Sequence, residues 1–121
     1  MVSDFRALEV YQDAFDLALA GYKRARRFPS REAVDVVLQL RRSALSVVLN
    51  IAEGHGRRTS QKDFMRFISI AVGSANETMV LLEFAHRLGY LKGCEHEEYD
   101  EKYTVLVKRL KALYSKLRGH K

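Results

Sequence analysis

Glu83 and His86, three residues apart, are the best-spaced metal ligands in this sequence. On a helix that spacing puts both on one face, and di-metal centres in helical bundles use two such pairs plus one glutamate from each of two other helices. Here the pair occurs once. Glu77 lies six residues before Glu83 on a different face, and His55, His96 and His120 fall in turns or at the tail. The donor set is incomplete, so no metal and no other cofactor is expected. Cys94 with His86 and His96 offers a thiol and a base, but no third group to orient them. Gly54-His55-Gly56-Arg57 is glycine-rich, yet it is too short for a phosphate loop and follows a helix rather than a strand. No arginine has a histidine at the Arg-x4-6-His spacing of helical ribonucleases. No catalytic residue is assigned, and an enzyme is not expected.

Positive charge is the chemistry that remains. Twenty-one Lys and Arg against fifteen Asp and Glu leave +6, with a pI near 9.6. Residues 1–30 carry +1, 31–58 carry +2, 59–89 carry zero and 90–121 carry +3. Arg57, Arg58 and Lys62 cluster around one break in the chain. The last nineteen residues hold Lys108, Arg109, Lys111, Lys116, Arg118 and Lys121 and no acid. Lys108, Lys111 and Arg118 recur with Thr104 and Ser115 at steps of four and three, so they share one helical face. Arg57, Arg58, Lys62, Lys108, Lys111 and Arg118 are the expected phosphate contacts for RNA or DNA. Nothing resembles a base-reading helix, so such binding would be sequence-non-specific. Elsewhere, Lys23, Arg24, Arg26 and Arg27 face Glu95, Glu97, Glu98, Asp100 and Glu101 if the helices run antiparallel, and the two clusters cancel.

Composition and spacing dictate the elements that carry these residues. The 121 residues are 47% apolar and 30% charged, too apolar for disorder, with one proline and seven glycines. A single domain over 1–121 follows from that length. The lone Cys94 fits a reducing cytoplasm. Neither a signal peptide nor a run of roughly 18 apolar residues is evident, so no membrane association is expected. Breaks at Phe28-Pro29-Ser30, Gly54-His55-Gly56 and Gly89 to Gly93 leave four stretches with helical periodicity. Leu8, Tyr11, Phe15, Ala18, Tyr22 and Ala25 mark the first face, and Tyr99, Tyr103, Leu106, Leu110, Leu113 and Leu117 the last. Pro29 ends the first helix, Ser30 and Ser60 are expected N-caps, and Gly89 a C-terminal cap. Helices at about 4–27, 31–54, 60–88 and 95–118, joined by short turns, predict an all-α, antiparallel up-down-up-down four-helix bundle.

The second helix is too apolar for one core face. With Val36 at zero on a wheel of about 100° per residue, Val36, Leu40, Ala44, Val47 and Ile51 cover about 0–80°. Val34, Val37, Leu38, Leu45, Val48, Leu49 and Ala52 cover about 100–220°, and an exterior helix needs only a little over 100° in total. Self-association is therefore expected, with Val36, Leu40, Val47 and Ile51 at the subunit contact. Arg41, inside the apolar arc, needs a carboxylate or carbonyl, and Arg41, Asn50, Glu53 and Glu77 are expected to form a structural polar network.

Phe28-Pro29, Gln39-Leu40-Arg41-Arg42-Ser43-Ala44, Ser46, Asn50-Ile51-Ala52-Glu53-Gly54 and Arg57 together resemble the four-helix-bundle proteins encoded in intervening sequences of bacterial 23S rRNA genes. Phe64, Phe67, Ile70-Ala71, Gly73-Ser74-Ala75 and Glu77 extend the likeness into the third helix. The resemblance implies a bacterial, cytoplasmic, non-enzymatic bundle, homopentameric in some members. It also implies kinship with the accessory proteins of diversity-generating retroelements, basic pentamers that bind nucleic acid and a reverse transcriptase. Two functions are thus expected in order: a homopentameric scaffold binding RNA or DNA, or a protein-interaction scaffold that ignores nucleic acid.

Overall fold

The structure is a computed structural model and describes residues 4–119; Met1–Ser3, His120 and Lys121 lie outside the described residues. A single 3-10 turn, Phe5–Ala7, precedes four helices: α1 (Glu9–Ala25), α2 (Val34–Gly56), α3 (Gln61–Arg87) and α4 (Gly93–Gly119). The first helix begins later than its periodicity suggests. Asp4 caps the 3-10 turn by accepting the Arg6 amide, and extended Leu8 interrupts the chain before α1.

Ser30 is not the cap of α2. Residues 29–33 wrap into a turn in which the Ala33 amide donates to the Pro29 carbonyl at 2.9 Å, and fully buried Ala33 occupies the N-cap position without a side-chain bond. Burying Phe28 and Ala33 outweighs the roughly 1 kcal/mol a serine cap contributes. Ser60 does cap α3, accepting the Asp63 amide at 3.2 Å. Gly89, at φ +86°, closes the other end of α3. Its amide donates to His86 and the Tyr90 amide to Ala85, both at 2.9 Å, which satisfies two orphan carbonyls.

Contacts between helices fix their directions. Ser43 lies 2.8 Å from Thr78 and Ser46 2.8 Å from Ser74, so α2 and α3 run in opposite senses. Arg24 meets Glu95 while Asp13 meets Arg109, which opposes α1 and α4. His86 packs on His96 while Gln61 donates to the Leu117 carbonyl, which opposes α3 and α4. It follows that α1 and α2 are antiparallel as well.

The core is built from Leu40, Val47 and Ile51 of α2, Ile68 and Leu82 of α3, and Tyr103, Leu106 and Leu110 of α4, all buried. On α1 the inward face is Val10, Ala14, Leu17, Ala18, Gly21 and Ala25. The expected α1 face is rotated from it, because its large residues are not the ones that point inward. Phe15 is exposed, and small residues let α1 lie close to its neighbours. Among the described residues, α3 is long and apolar enough to cross a membrane by length and composition. Here it packs between α2 and α4, and its surplus apolar character is a second stripe on its outer side.

Candidate functional site

One end of the bundle gathers the start of α3 and the end of α4. Between them runs an open groove of about 550 Å³, lined by Lys62, Asp63, Arg66, Tyr114 and Arg118. Lys62 and Arg118 make no ion pair among the described residues, and Gln61 ties the two helices together at this point. Arg66, absent from the expected set, stands 4.5 Å over the Phe67 ring and 3.9 Å from Asp63. Arg57 lies 5.3 Å from the same ring and donates to Glu53 at 2.7 Å, a bond that raises the guanidinium pKa further. Arg58 folds back to donate to the His55 carbonyl at 3.0 Å.

Lys108 and Lys111 are exposed further along α4 and make no ion pair among the described residues. The wheel puts Lys108 roughly opposite Leu106 and Leu110, with Lys111 and Arg118 about a quarter to a third of a turn from those leucines. Arg109 does not share that face: it turns to α1 and pairs with Asp13. The six expected phosphate contacts thus divide. Lys62 and Arg118 share a groove, Lys108 and Lys111 continue along α4, and Arg57 and Arg58 engage their own helix. Local chemistry explains the division, since Glu53 is four residues from Arg57 and the end of α2 offers free carbonyls to Arg58. The backbone approach here is close. A Cβ on buried Gly54 would lie 2.9 Å from Phe67 Cβ and 3.1 Å from Phe64 Cδ1.

At the opposite end charges cancel. A groove of about 720 Å³ between α1 and α4 is lined by Lys23, Arg24 and Arg27 on one wall and Glu95, Glu98 and Glu101 on the other. Arg24 and Glu95 close to 2.6 Å, and Lys102 and Glu98 to 2.9 Å.

The sides of α2 separate sharply. Leu40, Val47 and Ile51, expected at a subunit contact, are 0–2% exposed within a single protomer, and Val36 is half-buried. These residues form the protomer core. Their arc lies on the same side as Ala44 and Ser43, which face the other helices. The exposed apolar arc is the other one: Leu38 at 48%, Leu45 at 40% and Leu49 at 57%, with Val34. Phe15 and Leu19 of α1 are likewise exposed. A third set, Ile70, Val80, Phe84 and Leu88, runs along the outside of α3; the sequence reading missed it as a stripe and grouped Leu88 with the inner face. Its signal was available in the spacing Ile70, Glu77, Val80, Phe84, Leu88, a helical stripe apart from the core face of α3.

The expected polar network is not a single network. Arg41 donates to the Tyr22 carbonyl at 3.2 Å and lies 4.9 Å over the Tyr22 ring, on the α1 side of α2. Asn50 sits about 180° away on the wheel and bonds Ser46, which reaches Ser74 of α3. Glu53 belongs to Arg57, and Glu77 is exposed without an ion pair among the described residues. The buried α2–α3 polar contact is instead Ser43 with Thr78.

The other chemistry-bearing residues have local duties. Glu83 pairs with Arg87 at 2.9 Å, and His86 Nδ1 donates to the Leu91 carbonyl at 2.9 Å. The His86 ring stacks on His96 with centroids 5.0 Å apart. Cys94 is an exposed free thiol.

No curated protein matches the chain. A solved structure from Bacteroides thetaiotaomicron, described as a protein of unknown function from the S23 ribosomal protein family, is 26% identical. It covers 87% of this chain and 97% of its own, with a TM-score of 0.75. The family described as 23S rRNA-intervening sequence protein matches residues 6–112. With that match over nearly the whole chain, a four-helix fold and a structural relative from the S23 family, the protein belongs to the 23S rRNA-intervening sequence protein family.

Proposed function

We propose that this chain is the protomer of a non-enzymatic, cytoplasmic bacterial homo-oligomer, pentameric as its sequence resemblance implies, that binds RNA or DNA through backbone charge. It acts without cofactor or membrane. The observation that carries the nucleic-acid reading is the set Lys62, Lys108, Lys111 and Arg118 on the α3–α4 side, which makes no ion pair among the described residues. Along the α1–α4 groove, by contrast, Arg24 pairs with Glu95 and Asp13 with Arg109 from helix to helix, and Lys102 pairs with Glu98 within α4. An oligomer would multiply the free set and lay copies side by side, which strengthens non-specific phosphate binding.

Retention on structured RNA across a salt series tests the reading. Lys62→Glu with Lys108→Glu is expected to weaken binding at every salt concentration and to reduce the salt slope by about 2, one for each lost phosphate contact. Equal binding by wild type and double variant would overturn it. The second reading, a protein-interaction scaffold, draws on the exposed apolar side chains of α2 and α3. Absence of an electrophoretic shift with RNA and DNA at low salt would favour it.

A further inference from the structure

We infer that the α3–α4 groove takes an unpaired nucleotide of a single-stranded nucleic acid, with its base on the Tyr114 ring and its flanking phosphates on cations above and below. This role for the groove rests on the nucleic-acid binding proposed above and specifies the form of strand it accepts.

Each wall of the groove is one helical ridge. Lys62, Met65 and Arg66 on α3 and Tyr114, Leu117 and Arg118 on α4 both follow i, i+3, i+4 spacing, so each triplet shares a face. The hydrogen bond from Gln61 to the Leu117 carbonyl sets the heights of these antiparallel ridges. Counting from it at about 1.5 Å per residue, Lys62 and Arg118 lie within about 3 Å of one level, and Met65 and Tyr114 within about 2 Å of a second level above it. Arg66 stands about 3 Å higher than Tyr114, near the level of Lys111, which continues past the groove on the Tyr114 side of α4. The ring is thus bracketed by a lower and an upper pair of cations about 8 Å apart in height. That order of charge, ring and charge matches phosphate, base and phosphate along a strand.

The Tyr114 ring is unclaimed where those of the other tyrosines are used. Tyr11 packs against Phe5, Tyr90 against Phe28 and Tyr22 beneath Arg41, and Tyr103 is buried. Tyr99 lies in the α1–α4 groove beside charges already joined in pairs. Half-buried Tyr114 has no ring partner, cation or hydrogen bond among the described residues. Three cations against the carboxylate of Asp63 give the lining the sign a phosphodiester requires. Asp63 holds Arg66 only at 3.9 Å, the longest ion pair among the described residues, so that guanidinium can turn to a phosphate. The groove's volume of about 550 Å³ falls within the roughly 300–1,000 Å³ of small-ligand sites, room for a nucleotide. Bases in a duplex are stacked on one another, so a duplex would meet only the cations. An unpaired base offers a face to the ring, and such stacking tolerates any base.

Fluorescence anisotropy with labelled oligothymidine, a DNA duplex of the same length and an abasic DNA strand tests the groove. Tyr114→Ala is expected to weaken oligothymidine binding about tenfold. It should leave duplex binding and the salt slope unchanged, because no phosphate contact is lost. Tyr114→Phe, which keeps the ring, is expected to bind like wild type. Wild type is expected to hold the abasic strand no better than Tyr114→Ala holds oligothymidine. Unchanged oligothymidine binding by Tyr114→Ala, or an equal loss on strand and duplex, would overturn the inference. So would an abasic strand bound as tightly as the intact one, a comparison that needs no variant to fold. Thymidine monophosphate displacing the strand at equal nucleotide concentration would overturn the strand in favour of a free nucleotide. Should Lys62→Glu weaken binding while Tyr114→Ala does not, only this inference falls. A wild type that binds neither strand nor duplex at low salt overturns the nucleic-acid reading itself.

Discussion

The two apolar sides of α2 have nearly the same composition and opposite surroundings. Leu40, Val47 and Ile51 are buried inside the protomer, whereas Leu38, Leu45 and Leu49 stand about half exposed a third to a half of a turn away. One side supplies the protomer's own stability. The other leaves roughly 1 kcal/mol unrealised for each half-exposed leucine, which a covering surface would recover. Hydrophobicity alone therefore does not say which side of a helix is the core. What separates the sides is the polar pattern around them: Ser43, Ser46 and Asn50 fix the edge next to α3, and Arg41, bonded to Tyr22, fixes the edge next to α1.

Substitutions on the two sides should behave as different kinds of change. Ile51→Ala on the inner side is expected to cost about 2–5 kcal/mol, because a fully enclosed site cannot collapse around the lost atoms. Urea denaturation of dilute protein reads this directly. Gly54→Ala, where α2 meets Phe64 and Phe67, is expected to cost about 1–3 kcal/mol in the same assay, since the new methyl lands inside contact distance of a neighbouring Cβ. Arg41→Ala, on the boundary between the sides, should cost about 1–2 kcal/mol through the lost carbonyl bond and ring contact. Leu45→Ser on the outer side is expected to change the stability of the dilute protomer by no more than about 0.5 kcal/mol while lowering the assembled fraction on a sizing column. A large loss of protomer stability from Leu45→Ser would erase the distinction between the sides.

Much of this was legible in the sequence. The Tyr103–Leu106–Leu110 step fixed the inner face of α4, and Ser60 and Gly89 marked both ends of α3 through local hydrogen bonding that needs no tertiary context. The Arg24–Glu95 pairing followed once the helices were taken as antiparallel. What failed was the choice among faces. On α1 the reading had Ala18 and Ala25 but followed Tyr11 and Phe15 as well, whereas close helix packing selected Ala14, Leu17 and Gly21 beside those alanines. On α2 it assigned the core arc to the interface, because a helical wheel has no neighbours. On α3 the stripe through Val80 and Phe84 was masked by a stronger inner periodicity. For the candidate nucleic-acid site, Lys62 and Arg118 come together as their helix ends require. Arg109, outside the expected set, pairs with Asp13, ninety-six residues away in sequence, which no local pattern announces.

The central claim is that the exposed side of α2 is a contact between copies. Light scattering of the purified chain coupled to size exclusion addresses it most directly. The account predicts a mass several times the 13.9 kDa of one chain, near five times for a pentamer; a mass of 13.9 kDa at every concentration examined would contradict it.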